Sequence, residues 1–320
     1  MLKGLPMNWN LKTFYYFWPL AIVAPILLVL ILFPSAASAK DITVKHTQTG
    51  PLSANPKDTF FVVGDFTKAG DKAQMFVLAH GQCKGQDCKW SAQRSEREIK
   101  ITDRSKSKIG NILFYSVSIF IPKEMDGNTS GGKLSLFQAK MKGVDMPLWQ
   151  IFTSGMGFNV KIPATKGKMF CALFNKGEWN DIVVKVDYGR EKVKDYKYFE
   201  MWINGENKPG CTHHSQVVTK QVIKESKSHG WSSNTQQIST RYGIYRWNVG
   251  DYLYRNASSE IRKANKKKMK EYKQPNGLTS IMYPFKMDWG HEVPTLTLYY
   301  DEVRYGKSLG EVMIRDKAVD

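Results

Sequence analysis

The fold is indicated most clearly by residues 179–188, which read WNDIVVKVDY. Apolar side chains stand at every second position from Ile182 to Val186, which is the spacing that places them on one side of a β-strand. A second apolar run follows shortly and leads at once into Asn204-Gly205, a pair typical of tight hairpin turns. The two patterns together predict a pair of neighbouring antiparallel strands.

Similar short segments, rich in Val, Ile, Phe, Tyr and Trp, recur on both sides of this pair. The predicted strands are residues 73–79, 96–101, 112–121, 134–140, 179–188, 198–203, 241–246 and 296–305. Many short strands, Gly-rich turns and few helical patterns favour an all-β sandwich or jelly roll. Residues 212–240 are polar and are predicted to form a long loop, whereas residues 258–273 are predicted to form a short surface helix.

The composition describes a globular protein with surplus positive charge. Of the 320 residues, 42% are hydrophobic and 12% aromatic, which excludes global disorder. No heptad persists among 25 Gly and 13 Pro residues, which excludes a coiled coil. The formal net charge of +18 indicates an acidic partner, either nucleic acid, an anionic membrane surface or an acidic polysaccharide.

The N-terminal 39 residues have the pattern of an export signal. Lys3 and Lys12 precede an uncharged apolar stretch, residues 14–33, and an Ala-Ser-Ala cleavage site ends at residue 39. The stretch is also about long enough to span a bilayer, so an uncleaved membrane anchor is the alternative. In either case we expect residues 40–320 to form one monomeric domain in the periplasm or outside the cell, with no nucleic-acid partner.

Four cysteines fit an oxidising compartment, where disulfides persist. Cys83 and Cys88 lie close together in the chain, and Cys171 and Cys211 remain as the second candidate pair. Four cysteines allow three pairings, and the sequence does not select one. A zinc site at Cys211-Thr-His-His is less favoured, because a second ligand cluster with suitable spacing is missing.

Three of the segments carry polar side chains at every second position. These residues are Arg94, Glu96 and Glu98 on the first, Gln138 and Lys140 on the second, and Arg241, Gly243 and Tyr245 on the third. Because residues two apart on a strand face the same side, the pattern predicts a polar groove on one sheet, suited to an acidic sugar chain. The alternative is a solvated sheet face with cross-strand ion pairs.

Five groups of short motifs occur in a consistent order within roughly residues 70–306. They are Gly81-x-Cys83 with Asp87-Cys88 and Arg94-Ser95-Glu96; Gln138-x-Lys140; residues 177–184 with Trp202-Ile203-Asn204-Gly205; Tyr242-Gly243-Ile244-Tyr245-Arg246; and residues 298–303. This order resembles the jelly-roll polysaccharide lyases, specifically the heparin lyase I-like and glucuronan lyase-like group. The resemblance implies a concanavalin A-like sandwich.

The resemblance also implies a reaction, β-elimination on a polymer of uronic acid such as glucuronan, alginate or a glycosaminoglycan. The C5 proton is removed and the C4–O bond is cleaved, which requires that the substrate carboxylate be neutralised. By resemblance Gln138 and Arg94 are the neutralising donors, and Tyr245 transfers protons with help from nearby cations, Arg241 and Lys140. No cofactor is expected, and no oxygen-rich loop demands a structural calcium ion.

Two positions depart from the pattern of that group. Lys140 stands where the group often has a histidine, and Arg241 stands where a lysine is typical. Arginine does not deprotonate in proteins, so Arg241 is not expected to transfer a proton. His80 is a candidate for the missing base, with an ordinary loop residue as the alternative.

Candidate substrate-binding residues are Glu96, Arg246, Trp247, Trp231 and Lys267, with Trp289 as a further candidate for stacking on sugar rings. Lys267 belongs to a basic insertion at about residues 255–275, which either collects a polyanion or is simply a solvated face.

Two other functions compete with a lyase. The first is a non-catalytic glycan-binding module of the same fold, favoured by the missing histidine. The second is a glycoside hydrolase that uses Glu96 and Glu98 as its pair of carboxylates. For Glu96, however, an ion pair with Arg94 is the simpler role.

Overall fold

Two antiparallel β-sheets pack face to face in the computed structural model. The model describes residues 56–89, 92–99, 109–125, 131–162, 167–189, 192–230, 238–266, 270–273, 279–282 and 287–314. The predicted export signal, Trp231 and Lys267 lie outside these residues. Within the described ranges, no helix has the length and apolar character needed to cross a membrane.

Fifteen strands are found in the described ranges. They are β1 (Phe60–Val63), β2 (Ala73–Leu78), β3 (Gln93–Glu98), β4 (Ile112–Ile121), β5 (Lys133–Met141), β6 (Trp149–Ser154), β7 (Gly157–Lys161), β8 (Met169–Leu173), β9 (Glu178–Asp187), β10 (Phe199–Ile203), β11 (Glu206–Asn207), β12 (Ile238–Trp247), β13 (Lys270–Lys273), β14 (Thr279–Met282) and β15 (Leu296–Gly306). The all-β jelly-roll class predicted from the sequence is confirmed, and all eight predicted strands are present within a few residues of their predicted bounds.

The strands form two large sheets and one small one. The seven-stranded sheet has the order β1-β2-β15-β4-β9-β10-β11, and the six-stranded sheet has the order β3-β12-β5-β6-β7-β8. Strands β13 and β14 pair with each other. The sequence analysis missed seven short strands, β1, β6, β7, β8, β11, β13 and β14. Two of them, β1 and β8, lie at sheet edges, where exposed positions obscure the alternation.

Short helices connect the strands. They are α1 (Pro56–Thr59), α2 (Gln86–Lys89), α3 (Lys220–Ser228), α4 (Val249–Asn256), α5 (Ser259–Lys266) and α6 (Leu309–Val312), with a 3-10 turn at Pro209–Cys211. The predicted helix over residues 258–273 is too long, because α5 ends at Lys266 and residues 270–273 form a strand.

Helix α3 corrects the prediction of a long loop over residues 212–240. Its N-terminus is capped by Thr219, whose hydroxyl accepts the N–H of Val222 at 3.3 Å. The Ser226 hydroxyl donates to the Lys142 carbonyl at 2.8 Å and attaches the helix to the turn after β5. The sequence analysis missed the helix because the segment is polar overall and a capped surface helix needs few apolar residues.

The core lies between the two sheets. Ile182, Val184 and Val186 are fully buried, as the alternation in β9 predicted. On the facing sheet Tyr242 and Ile244 of β12 are also fully buried. Each such side chain contributes about 1.5–3 kcal/mol through burial. The residues between them on β12 therefore point away from the core, and we call this outward side of the six-stranded sheet the groove face.

Both candidate cysteine pairs are disulfides. Cys83 bonds to Cys88 and Cys171 bonds to Cys211, with Cα–Cα distances of 5.1 and 5.4 Å. Cys211 is thus not a zinc ligand. No cluster of three or more His, Cys, Asp or Glu side chains suited to a metal occurs in the part of the chain that the structure describes.

Candidate active site

Strand register brings the predicted site residues together on the groove face. Strand β12 lies between β3 and β5. The register pairs are Tyr245 with Arg94, Gly243 with Glu96, Arg241 with both Glu98 and Gln138, and Ser239 with Lys140. Directly paired residues on antiparallel strands face the same side, so three strands distant in sequence contribute to one surface.

Gly243 shapes the centre of this surface. The register between β12 and β5 shifts between Tyr242 and Tyr245, as at a β-bulge. Gly243 has a φ of +117°, and a Cβ at this position would lie 2.5 Å from the Ser95 carbonyl oxygen and 2.8 Å from the Phe76 ring. Strands β3 and β12 can therefore approach this closely only with glycine at this position.

Two carboxylates hold Arg94 in place. Its Nε and Nη2 donate to the two oxygens of Asp87 at 3.0 and 3.1 Å, and its Nη1 donates to Glu96 Oε2 at 3.0 Å. Burial alone would lower the pKa of Arg94, but Glu96 and Asp87 raise it above its ordinary value, so the guanidinium stays charged. Guanidinium has five N–H donors, and these three bonds leave two for a ligand.

Glu96 links Arg94 to Gln138. The Gln138 Nε2 donates to Glu96 Oε1 at 2.6 Å, and both side chains are buried, with exposed fractions of 3% and 1%. The prediction that Glu96 binds substrate directly is not supported, because each of its two oxygens already accepts a hydrogen bond, from Gln138 and from Arg94. These bonds hold the Gln138 amide and the Arg94 guanidinium in fixed directions. A hydrolase that uses Glu96 as a free catalytic carboxylate is disfavoured for the same reason.

Tyr245 lies between Arg94 and Trp247. The Arg94 guanidinium carbon is 4.3 Å from the centre of the Tyr245 ring, and the Trp247 ring stacks on it at 5.9 Å with an interplanar angle of 20°. Burial raises the pKa of Tyr245 to about 12, although the charge of Arg94 opposes this shift. The phenol is consequently protonated at neutral pH.

Lys140 and Arg241 bring positive charge to the same face. Burial lowers the pKa of Lys140, and the charges of Arg241 and Arg94 lower it further. The Arg241 Nε donates to the Ser239 hydroxyl at 3.1 Å. Neither Lys140 nor Arg241 forms an ion pair with any carboxylate in the described ranges.

The structure also corrects the prediction that Arg246 binds substrate. It is fully buried rather than available to a substrate. Its guanidinium donates to the carbonyls of Pro294 at 2.7 Å and Leu78 at 3.4 Å, and to the side chain of Gln93. Because Arg246 follows Tyr245 on one strand, the two side chains point to opposite sides of the sheet. Arg246 therefore joins the two sheets.

Two further candidates, His80 and Trp289, lie in different surroundings. His80 accepts the Val293 N–H on its Nδ1 at 3.2 Å, and its role as a base stays a prediction. Trp289 is only 2% exposed and packs with Val249 and Leu253, so the prediction that it stacks on sugar is wrong.

Asp87 is a site residue that sequence reasoning did not assign to the site. It lies in α2, within the loop closed by the Cys83–Cys88 disulfide. The disulfide restrains the segment whose carboxylate holds Arg94. The signal available in the sequence was the position of Asp87 directly before Cys88, seven residues ahead of Arg94.

The groove face thus presents basic and amide side chains together on one sheet of a β-sandwich. The chain belongs to the polysaccharide lyase family, whose model, described as "Polysaccharide lyase", matches residues 41–304. No curated protein sequence is similar enough to add a further relative. The narrower resemblance to the heparin lyase I-like group stays a prediction.

Several solved structures are similar to this chain. The family 7 alginate lyase A1-II′ in complex with product is 10% identical, with coverage of 75% of this chain and 82% of that one and a TM-score of 0.43. A family 131 β-glucanase catalytic domain from Podospora anserina is 8% identical, with coverage of 81% and 83% and a TM-score of 0.43. The cellulose-induced protein Cip1 is 8% identical, with coverage of 85% and 92% and a TM-score of 0.42.

Proposed function

We propose that this protein cleaves a uronic-acid polysaccharide by β-elimination on the groove face. The observation that carries the proposal is the linked set of Gln138, Glu96 and Arg94 beside Tyr245, in a chain of the polysaccharide lyase family. Such polymers occur outside the cytoplasm, in keeping with the predicted export signal, which remains part of the proposal.

The substrate carboxylate would bind to Arg94 and Gln138. Arg94 offers its two remaining N–H groups, and Gln138 offers the second N–H of its amide. Glu96 holds both donors in fixed directions before the substrate arrives. Donors aimed in advance at developing negative charge stabilise the carbanion-like transition state, which makes the C5 proton easier to remove. The chemistry requires no cofactor.

Two further groups would move the protons. The neutral amine of Lys140 accepts the C5 proton, the C–H electron pair becomes the C4–C5 double bond, and the C4–O4 bond breaks. The Tyr245 phenol donates its proton to the departing O4. The lowered pKa of Lys140 supports its role as the base, because a larger fraction of the amine is then neutral. The Tyr245 phenol keeps its proton at neutral pH, as a donor to O4 must.

The test is a panel of glucuronan, alginate, heparin, heparan sulfate and chondroitin incubated with the full chain. The ultraviolet absorbance of the C4–C5 double bond is followed, because only elimination creates it. We expect a rise on at least one polymer. New reducing ends without absorbance would instead establish a hydrolase, and retention on a polymer without either signal would establish a binding module.

The variant that tests the proposed proton donor is Tyr245→Phe, which removes one hydroxyl and keeps the ring under Arg94. We expect kcat to fall by about 10²- to 10⁴-fold, the usual contribution of a general acid. Binding of the polymer, measured by retention on an immobilised sample, should change little. Unaltered turnover in this variant would exclude Tyr245 as the proton donor.

A further inference from the structure

A row of polar residues continues across the groove face beyond the proposed catalytic centre. The strand registers pair Gln138 of β5 with Gln150 of β6, and Gln150 with Lys161 of β7. Arg241 of β12 precedes Gln138 in the same row. Adjacent strands lie about 4.8 Å apart, so Lys161 stands about 10 Å from Gln138 across the sheet.

Burial of the alternate residues shows which way this row points. Ile151 and Val160, the neighbours of Gln150 and Lys161, are fully buried in the core. Gln150 and Lys161 therefore face the groove side with Gln138. The proposed function uses neither residue.

Gln150 has no hydrogen-bond partner for its amide among the described residues. It is only 7% exposed, yet its side chain makes no hydrogen bond to any residue that the structure describes. Lys161, half-buried beside it, likewise has no carboxylate partner in those ranges. An unpartnered amide and an adjacent unpaired ammonium on one face form a site that can bind an anion, because each offers donors that the fold leaves unused.

We infer that Gln150 and Lys161 form a second carboxylate-binding subsite, which holds a uronate ring removed from the reacting one. This inference rests on the proposed function for the identity of the polymer. A uronic-acid chain that crosses the strands along the row would present successive carboxylates to Arg94 with Gln138 and then to Gln150 with Lys161. The subsite makes the groove selective for chains that carry repeated carboxylates.

The test compares the affinity of the full chain for oligosaccharides of two and of six rings, from glucuronan and from alginate, by calorimetry. Lys161→Ala should weaken binding of the six-ring oligosaccharide about fivefold and change that of the two-ring oligosaccharide little. Gln150→Leu, which keeps the volume and removes the amide, should act in the same direction. Lys72→Ala, which removes an exposed charge before β2 on the other sheet, is the matched control.

The possible outcomes test the subsite and the proposed lyase reaction independently of each other. If Lys161→Ala weakens only the six-ring oligosaccharide while no polymer shows elimination, the subsite stands and the lyase proposal falls. If elimination occurs but Lys161→Ala and Gln150→Leu bind like the unaltered chain, the subsite is wrong and the lyase stands. Equal losses in Lys161→Ala and Lys72→Ala, or no binding of either oligosaccharide series by the unaltered chain, would also overturn the subsite.

Discussion

The outward faces of the two sheets differ in how their basic side chains are paired with carboxylates. On the seven-stranded sheet Lys185 pairs with Glu200 at 2.7 Å and Arg304 pairs with Glu302. Lys68, in the loop before β2, pairs with Asp181 of β9 at 3.4 Å. On the groove face Lys140, Arg241 and Lys161 have no carboxylate partner in the described ranges. Among the described basic side chains of that face, Arg94 is the paired one.

This difference shows that the distribution of charge carries more information than its total. A net charge of +18 indicates an acidic partner but gives no location for it. Paired charges on one sheet largely cancel, whereas unpaired cations in a row on the other create a local positive potential. That arrangement costs some folding stability through repulsion, and an anionic ligand would offset the cost. The groove face is therefore the surface on which variants should affect function most.

Lys140→Arg is expected to have the largest effect among the variants that keep the charge of the groove face. Arginine preserves the positive charge but does not release a proton, so kcat should fall about 100-fold, as it should in Lys140→Ala. If Lys140 acted only through its charge, Lys140→Arg would retain most of the activity. Steady-state kinetics on the polymer that shows elimination distinguish the two.

The pH profile provides an independent readout of Lys140. Because burial and the neighbouring arginines lower its pKa, kcat/KM should rise with pH as the amine loses its proton, with a midpoint below the ordinary lysine value of about 10.5. Activity should decline again as Tyr245 ionises near pH 12. The ascending limb should be absent from the residual activity of Lys140→Arg, and its persistence would assign the limb to another group.

Glu96→Gln should have an intermediate effect, on stability and on turnover together. The amide cannot replace a carboxylate that accepts bonds from both Gln138 and Arg94, so we expect the free energy of unfolding to fall by about 2 kcal/mol. We expect kcat/KM to fall about tenfold, because Gln138 loses its fixed direction. Chemical denaturation and kinetics are the measurements.

The matched control for that variant is Glu98→Gln, on the same strand and face. Glu98 makes no ion pair with any described residue, so its unfolding free energy should change by less than about 0.5 kcal/mol. Equal effects of the two substitutions would show that the contacts of Glu96 with Gln138 and Arg94 do not position the site.

Strand alternation made much of the fold and the polar surface predictable from the sequence. It placed Arg94, Gln138 and Tyr245 on one side because the intervening residues are apolar or small. The same alternation, applied strictly, puts Arg246 in the core next to Tyr245. The sequence analysis assigned it to the substrate instead, because a fully buried arginine is rare and needs acceptors that only tertiary structure supplies.

The partners of individual side chains were not predictable in this way. Asp87 reaches Arg94 from a loop closed by a disulfide, and the unused amide of Gln150 becomes apparent only when β5, β6 and β7 are paired. Neither the Asp87–Arg94 contact nor the unused amide of Gln150 follows from periodicity. Periodicity indicates the side of the sheet on which a residue lies but not its neighbours across the sheet. The partners of a site residue therefore had to come from the structure.

Lys185→Ala, on the seven-stranded sheet, should have the smallest effect. Its ion pair with Glu200 is partly exposed, with side-chain exposures of 21% and 12%, so its loss should cost at most about 1 kcal/mol of unfolding free energy. Because the charge was already compensated and lies on the opposite sheet, kcat/KM and affinity for the six-ring oligosaccharide should stay within about twofold of the unaltered chain. A loss of affinity as large as that of Lys161→Ala would mean that total charge, rather than the unpaired row on the groove face, governs binding of the polymer.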